Sequence, residues 1–301
     1  MIDKLIVQGG RTQVIANIQK AAEEGRFNDK VETDDPELSR KQQEEFLASY
    51  LEKETTKTYK YNNVVTREIM NIATRVILRS TQVEGLENVQ NIAGGGIVTS
   101  NHFSPLDSLV VHKTVKKMSK SRLYVVSELE NLQMPGFLGY LMTYYDTIPL
   151  GPDKDYMGRQ FPEALKNILD QKQLILIYSE QEMWFNYRKP RPVKRGAYYY
   201  AAKFNVPIIS CFVEMRDLPD IESDNFKKVA YIMHVLKPIY PDPAKAVRDN
   251  SLAMMKQDYA QKCAAYEKAY QVPLDYTFRT TDIAGWMPPK TEMQASVNSM
   301  N

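Results

Sequence analysis

The chain has 301 residues, 43% of them hydrophobic, with 39 basic against 37 acidic side chains. That length allows one large α/β domain, or a domain of about 200–250 residues with an appendage. The near balance of charge excludes a global attraction to nucleic acid, so any anion-binding role must come from a local cluster. Cys211 and Cys263 stand far apart and in no CxxC pattern. They read as small core hydrophobes in a reducing cytosol, and neither a disulfide framework nor a metal site is expected.

The first twenty residues lack the uninterrupted apolar core of a signal peptide. No run of about 18 apolar residues occurs, so no membrane-spanning helix is expected and the predicted location is cytoplasmic, peripheral to the membrane. Residues 1–60 read as an accessory helical segment. Thr33-Asp34-Asp35-Pro36 reads as a helix start, with the helix running from Pro36 to about Thr55. Residues 64–79 space Val65, Ile69, Ile72, Ala73 and Val76 along one helical face, with Arg67, Arg75 and Arg79 among them. Two readings stay open: a core-packing helix with a basic edge, or a helix lying in the lipid interface.

From residue 83 the pattern changes. Gly94-Gly95-Gly96 leads into the apolar strand Ile97–Ser100, and a helix is expected from Pro105 to about Lys117. Strands follow at Leu123–Val126, Leu174–Tyr178, Pro207–Val213 and Val229–Leu236, with helices at Phe161–Leu169 and Tyr198–Phe204. Short apolar strands alternating with helices predict an α/β domain over 61–285, a central mixed or parallel sheet flanked by helices. A last helix, about Ser251–Tyr270, sets Met255, Tyr259, Cys263, Tyr266 and Tyr270 on one face, which reads as core packing. Residues 286–301 read as a disordered tail.

Among the three histidines, His102 follows a strand, where active-site residues of α/β proteins collect. Imidazole is the side chain best suited to take a proton near neutral pH. Ser104-Pro105-Leu106-Asp107 reads as a helix start with Ser104 as cap. A turn between His102 and Asp107 would let the carboxylate fix one imidazole tautomer and stabilise the imidazolium formed on proton transfer. His112, beside Lys113, reads as a surface residue, and His234 as a satisfied structural histidine within a strand.

Asn101-His102-Phe103-Ser104-Pro105-Leu106-Asp107 resembles the N-H-x-S-x-x-D block of the glycerolipid acyltransferase family. Val83-Glu84-Gly85-Leu86-Glu87-Asn88 is similar to the V-x-G-x-E-N stretch before it, and Tyr178–Met183 stands where the F-P-E-G-T-R block falls. Lys194-Arg195-Gly196-Ala197, Val206-Pro207-Ile208-Ile209 and Lys237-Pro238-Ile239-Tyr240-Pro241 are similar to the later blocks, in family order. The resemblance implies acyl transfer from acyl-CoA or acyl-carrier protein to a hydroxyl of a lysoglycerolipid, 1-acylglycerol-3-phosphate first. It implies His102 as base, Asp107 as its partner, and Asn101, Ser104 and Glu180 at the substrate. No metal or organic cofactor is implied. Backbone N–H groups near the His102 turn are expected to stabilise the oxyanion. A glycolipid acceptor, hydrolysis at the same base, and a lipid-binding module with weak or no catalysis stay as alternatives.

Two family arginines associated with the acceptor's phosphate are missing: Leu150 falls near one place and Met183 occupies the other. That loss removes bidentate phosphate contacts. A replacement is expected from Arg188, Lys194 and Arg195, in a stretch (residues 188–195) with no acidic residue, acting as a phosphate clamp, a carrier-protein contact or an anionic membrane patch. Trp184, Phe185 and Tyr187 read equally as core or as an interfacial or sugar-stacking group. Lys113, Lys116, Lys117, Lys120 and Arg122 form a second basic run, a solvated helix face or a membrane contact.

Overall fold

The computed structural model describes residues 10–33, 36–118, 120, 122–223 and 225–288. Three helices come first: α1 (Arg11–Glu23), α2 (Arg40–Glu54) and α3 (Lys57–Ile77). They are followed by β1 (Gln82–Glu84), β2 (Gly96–Thr99), α4 (Asp107–Lys117), β3 (Leu123–Glu128), α5 (Leu129–Leu132), α6 (Gly136–Tyr144) and β4 (Thr147–Leu150). The chain continues through α7 (Phe161–Asp170), β5 (Leu174–Leu176), α8 (Gly196–Phe204), β6 (Ile208–Ser223), β7 (Phe226–Val235) and α9 (Val247–Tyr270). The strands form one seven-stranded sheet in the order β1-β7-β6-β2-β5-β3-β4. Only β6 and β7 pair antiparallel; all other neighbours are parallel.

The central strands β2 and β5 are buried on both faces, which is why they read as unbroken apolar runs. Their period-two alternation still sorts side chains into two cores. Val98, Leu174, Leu176 and Ile209 face the layer that holds α3 and α4. Ile97, Ile175 and Ile208 face the layer of α7, α8 and α9. Gly85 sits at φ 76 before the turn into residues 86–88, and a Cβ there would lie 2.2 Å from the Val235 carbonyl oxygen. Only glycine fits that close approach.

Several expectations are corrected. The helix expected from Pro36 begins at Arg40, where Ser39 forms a capping box with Gln42; Asp34 and Asp35 lie outside the described residues. The helix expected from Pro105 begins at Asp107, because Ser104 folds into a turn: its Oγ accepts from the Leu106 N–H at 3.3 Å. In α3 the buried side is Tyr59, Asn63, Thr66, Met70 and Thr74, while Ile72 is 57% and Val76 69% exposed. Thr66 and Asn63 reach the Tyr144 carbonyl, so hydrogen bonds rather than methyl groups turn that side inward.

In α9 the buried positions are Asn250, Ser251, Met254, Asp258, Lys262 and Tyr266, and of the apolar stripe expected only Tyr266 is among them. Asp258 pairs with Lys262 at 2.8 Å and accepts from Thr99 at 3.0 Å and from the Tyr198 hydroxyl. His112 is buried, its Nδ1 3.0 Å from Thr74 Oγ1, and burial with Lys116 nearby pulls it down to about 4. Trp184, Phe185 and Tyr187 are core: they pack with α1, Phe226 and Ile283. Of the residues expected to begin a tail, Trp286 bridges to Phe226 and Met287 donates to the Asn225 carbonyl at 2.8 Å; 289–301 lie outside the described residues. Burial raises the Cys211 thiol to about 12.

Candidate active site

The chain leaves β2 at Thr99 and enters α4 at Asp107, and the intervening turn puts imidazole and carboxylate together. His102 Nδ1 lies 2.8 Å from Asp107 Oδ2. The same oxygen accepts from the N–H of Phe103 at 2.9 Å and of Ser104 at 3.3 Å. The other oxygen, Oδ1, accepts from the Tyr178 hydroxyl. Tyr178 leaves β5 with its ring stacked on the imidazole, centroids 3.8 Å apart and planes 9° apart. Burial, and Asp107 beside it, hold this phenol protonated well above the ordinary tyrosine range, so it stays a donor.

With Asp107 accepting at Nδ1, that nitrogen carries the proton and Nε2 is left with a lone pair. Nε2 has no hydrogen-bond partner among the described residues, and His102 lines a cavity of about 500 Å³. Asp107, Ser108, Tyr178, Ser179 and Lys194 also line it. Leu138, Leu141, Met142, Met157 and Phe161 give the same cavity apolar lining. Lining of that character suits an alkyl chain.

The remaining predicted site residues separate. Lys194 reaches the cavity wall. Asn101 is buried beneath it and ties β2 to β6, exchanging hydrogen bonds with both backbone groups of Val213 at 2.8 and 3.1 Å. Ser104 is spent on its own turn. Glu180 is 1% exposed and does not line the cavity. Its Oε2 takes the His102 N–H at 3.3 Å and lies 3.1 Å from Arg191, and its Oε1 takes the Arg191 N–H at 2.9 Å. The acceptor-binding expectation for Glu180 therefore does not match its placement; the carboxylate braces the turn from behind.

Nor is the basic loop a free cation patch. Arg188 bonds Asp217 and the Met215 carbonyl, and Lys189 bonds Asp282 at 2.7 Å. Arg191 pairs with Glu180 over the Trp184 ring, and burial lowers it while Glu180 opposes. Arg195 is exposed and precedes α8 without lining the cavity. The loop clips the catalytic turn through its backbone: Trp184 N–H donates to the His102 carbonyl at 3.1 Å, Asn186 N–H to that of Phe103 at 2.9 Å. An N-terminal strap seals it, with Asn28 reaching the Glu180 and Pro192 carbonyls and Trp184 donating to that of Asp29.

The expected backbone oxyanion donors are also corrected. The N–H groups of His102, Phe103, Ser104, Leu106 and Asp107 all have protein acceptors, and Pro105 has none to give. In the second basic run, Lys113 caps the end of α3 at the Leu78 and Thr81 carbonyls, Lys120 bonds those of Ala93 and Gly94, and Arg122 pairs with Asp146. Tyr178 is the residue that sequence reasoning passed over. Its signal was a tyrosine where the family block has phenylalanine.

Residues 80–214 match the family model described as Acyltransferase. That stretch is similar to acyltransferase domains, and it holds His102, Asp107 and Tyr178. A solved structure with a similar fold is the 1-acyl-sn-glycerophosphate (LPA) acyltransferase PlsC from Thermotoga maritima. The two are 19% identical with a TM-score of 0.51, over 76% of this chain and 89% of that one. No curated protein sequence matches the chain. Among the described residues no helix is long and apolar enough to cross a membrane, and no group of His, Cys, Asp and Glu is arranged to hold a metal ion.

Proposed function

We propose that the protein moves a fatty acyl group from a thioester, acyl-CoA or acyl-carrier protein, to a hydroxyl of a lysoglycerolipid, with His102 as general base. The observation that carries this reading is the 2.8 Å contact from His102 Nδ1 to Asp107, which leaves Nε2 unpartnered among the described residues, on a side chain that lines a cavity rich in apolar residues. The acyl chain lies against that apolar lining and the acceptor hydroxyl at Nε2. As the hydroxyl oxygen attacks the thioester carbonyl, its proton passes to Nε2 and Asp107 stabilises the imidazolium. The C–S bond then breaks and the thiolate takes the proton back. Gly196 and Ala197, the first turn of α8, line the same cavity, and the positive end of that helix favours the developing oxyanion. A pure binding module has no need of a base held in one tautomer.

The test is incubation of the protein with acyl-CoA and, separately, acyl-carrier protein, with and without lysolipid. Ester product that needs the acceptor is expected. Thioester loss at the same rate without acceptor would make the enzyme a hydrolase. Tyr178→Phe keeps the stacked ring but removes the hydroxyl that donates to Asp107 Oδ1, so the carboxylate is held less firmly against His102. Turnover should fall by up to about tenfold with the melting temperature little changed; native turnover would take Tyr178 out of the mechanism.

Peripheral membrane contact is part of the same reading. Tyr61, Val64, Ile72 and Val76 are exposed along α3, with Lys57, Lys60 and Arg75 on the same helix. An exposed apolar stripe beside cations suits the boundary of an anionic bilayer. Replacing Ile72 and Val76 with Asp should lower partitioning onto anionic vesicles at least about a hundredfold, each buried side chain being worth roughly 1.5–3 kcal/mol and each 1.4 kcal/mol a factor of ten. Equal sedimentation would place the membrane face elsewhere.

A further inference from the structure

A second cavity, of about 690 Å³, lies away from His102. Arg122 and Tyr124 line it from the start of β3, Asp146 and Thr147 from the start of β4. His102 and Tyr178 follow the other ends of the parallel strands β2 and β5, so the two cavities occupy opposite ends of the sheet. Of their lining residues only Thr147 is common to both. In the wall of the second cavity Arg122 and Asp146 neutralise each other, Nε donating to Oδ2 at 3.1 Å. Four charged side chains remain: Lys60 and Arg67, Glu54 and Glu163. None of the four makes a side-chain hydrogen bond or ion pair among the described residues.

Arg67 differs from a solvated surface cation, because its Nε is buried with no acceptor. A buried guanidinium donor left open calls for an oxyanion from outside the chain. Glu54 is its counterpart: burial and Asp146 push its carboxyl up while Arg122 opposes, so an added cation would favour the charged form. Open charges of both signs suit a ligand that itself carries both. The rest of the wall is largely apolar and aromatic, with Leu51, Tyr59, Val64, Tyr124 and Ile168. Lys60 and Val64 also belong to the exposed side of α3 proposed above to meet a bilayer, so the cavity adjoins that face. We infer that this cavity holds the head group of a zwitterionic phospholipid, its phosphodiester at Arg67 and Lys60 and its ammonium at Glu54 and Glu163. The inference rests on the membrane contact proposed for α3 and not on acyl transfer. A lipid held there ties the protein to the bilayer at a point remote from His102 and leaves the catalytic cavity free for substrate.

The experiment uses water-soluble dihexanoyl lipids, so that binding to the cavity is read apart from binding to a bilayer. Calorimetric titration of the native protein compares dihexanoylphosphatidylethanolamine, dihexanoylphosphatidylglycerol and inorganic phosphate. The ethanolamine lipid is expected to bind at least about tenfold more tightly than either, since a charge-assisted contact is worth a tenfold step or more. Arg67→Met should weaken that binding by at least about tenfold, while the melting temperature of the free protein holds or rises because an open buried donor is gone. Glu54→Gln should weaken the ethanolamine lipid and leave the glycerol lipid unchanged. Binding that survives Arg67→Met puts the lipid elsewhere and overturns the inference. A lowered melting temperature of the free Arg67→Met protein also overturns it, by giving the guanidinium a structural task. Phosphatidylglycerol bound as tightly overturns the zwitterionic recognition, and phosphate bound as tightly makes this a free-anion site. Vesicle sedimentation runs beside the titrations: sedimentation without soluble-lipid binding removes the site alone, and soluble-lipid binding without sedimentation removes the bilayer contact alone.

Discussion

His102→Ala should lower acyl transfer by about 10²–10⁴-fold, the usual contribution of a positioned general base, while the protein keeps its fold. The two halves of that expectation come from different contacts. Catalysis depends on Nε2, which has no partner among the described residues and no imidazole to replace it: His112 and His234 do not line the cavity. The fold of the turn depends on Asp107, which loses one of four donors in the variant. The N–H groups of Phe103 and Ser104 and the Tyr178 hydroxyl remain. The backbone of residues 102 and 103 also stays clipped by Trp184 and Asn186. A melting curve should therefore move by only a few degrees, the loss of one charge-assisted hydrogen bond being worth roughly 1.5–3 kcal/mol. Product measured by mass spectrometry within tenfold of the native rate would remove His102 as the base. A collapsed melting curve would make the rate uninterpretable, and His102→Gln would then supply a closer isostere.

What the sequence made legible was local or continuous. His102 and Asp107 are five positions apart with a proline between them, so a single turn decides their contact, and the sequence contains that turn. Strands β2, β5 and β6 begin as unbroken apolar runs because both their faces are buried. Partners distant in sequence were not legible. Residues 188–195 look like a cationic surface until Asp217, Asp282 and Glu180 are folded against them. In α9 the apolar stripe was a misleading guide, since Asp258 and Lys262 neutralise each other against Thr99 and Tyr198 and so occupy the inner face. In α3 the reverse holds, and apolar Ile72 and Val76 stay outside. Periodicity reports which residues could be buried together; pairing between separate elements decides which side is.

The same long-range pairing gives Glu180 its expected phenotype, a loss of stability rather than of acceptor affinity. Its carboxylate is buried with Arg191, and the pair holds three segments: the His102 turn through its N–H, the loop through the Arg191 N–H, and the strap through the Phe27 carbonyl, which accepts from Arg191 at 2.9 Å. Glu180→Ala strands a fully buried guanidinium, a change that costs about 3–5 kcal/mol. At roughly 2–4 °C per kcal/mol, the melting temperature should fall by on the order of 10 °C. Removing both partners, Glu180→Met with Arg191→Met, should recover much of that loss, because two apolar side chains need no pairing. Activity should fall in the single variant through disorder of the His102 turn, appearing in turnover for every acceptor alike. An unchanged melting temperature with a raised KM for one acceptor would return Glu180 to the substrate, and the brace assigned to it would be wrong.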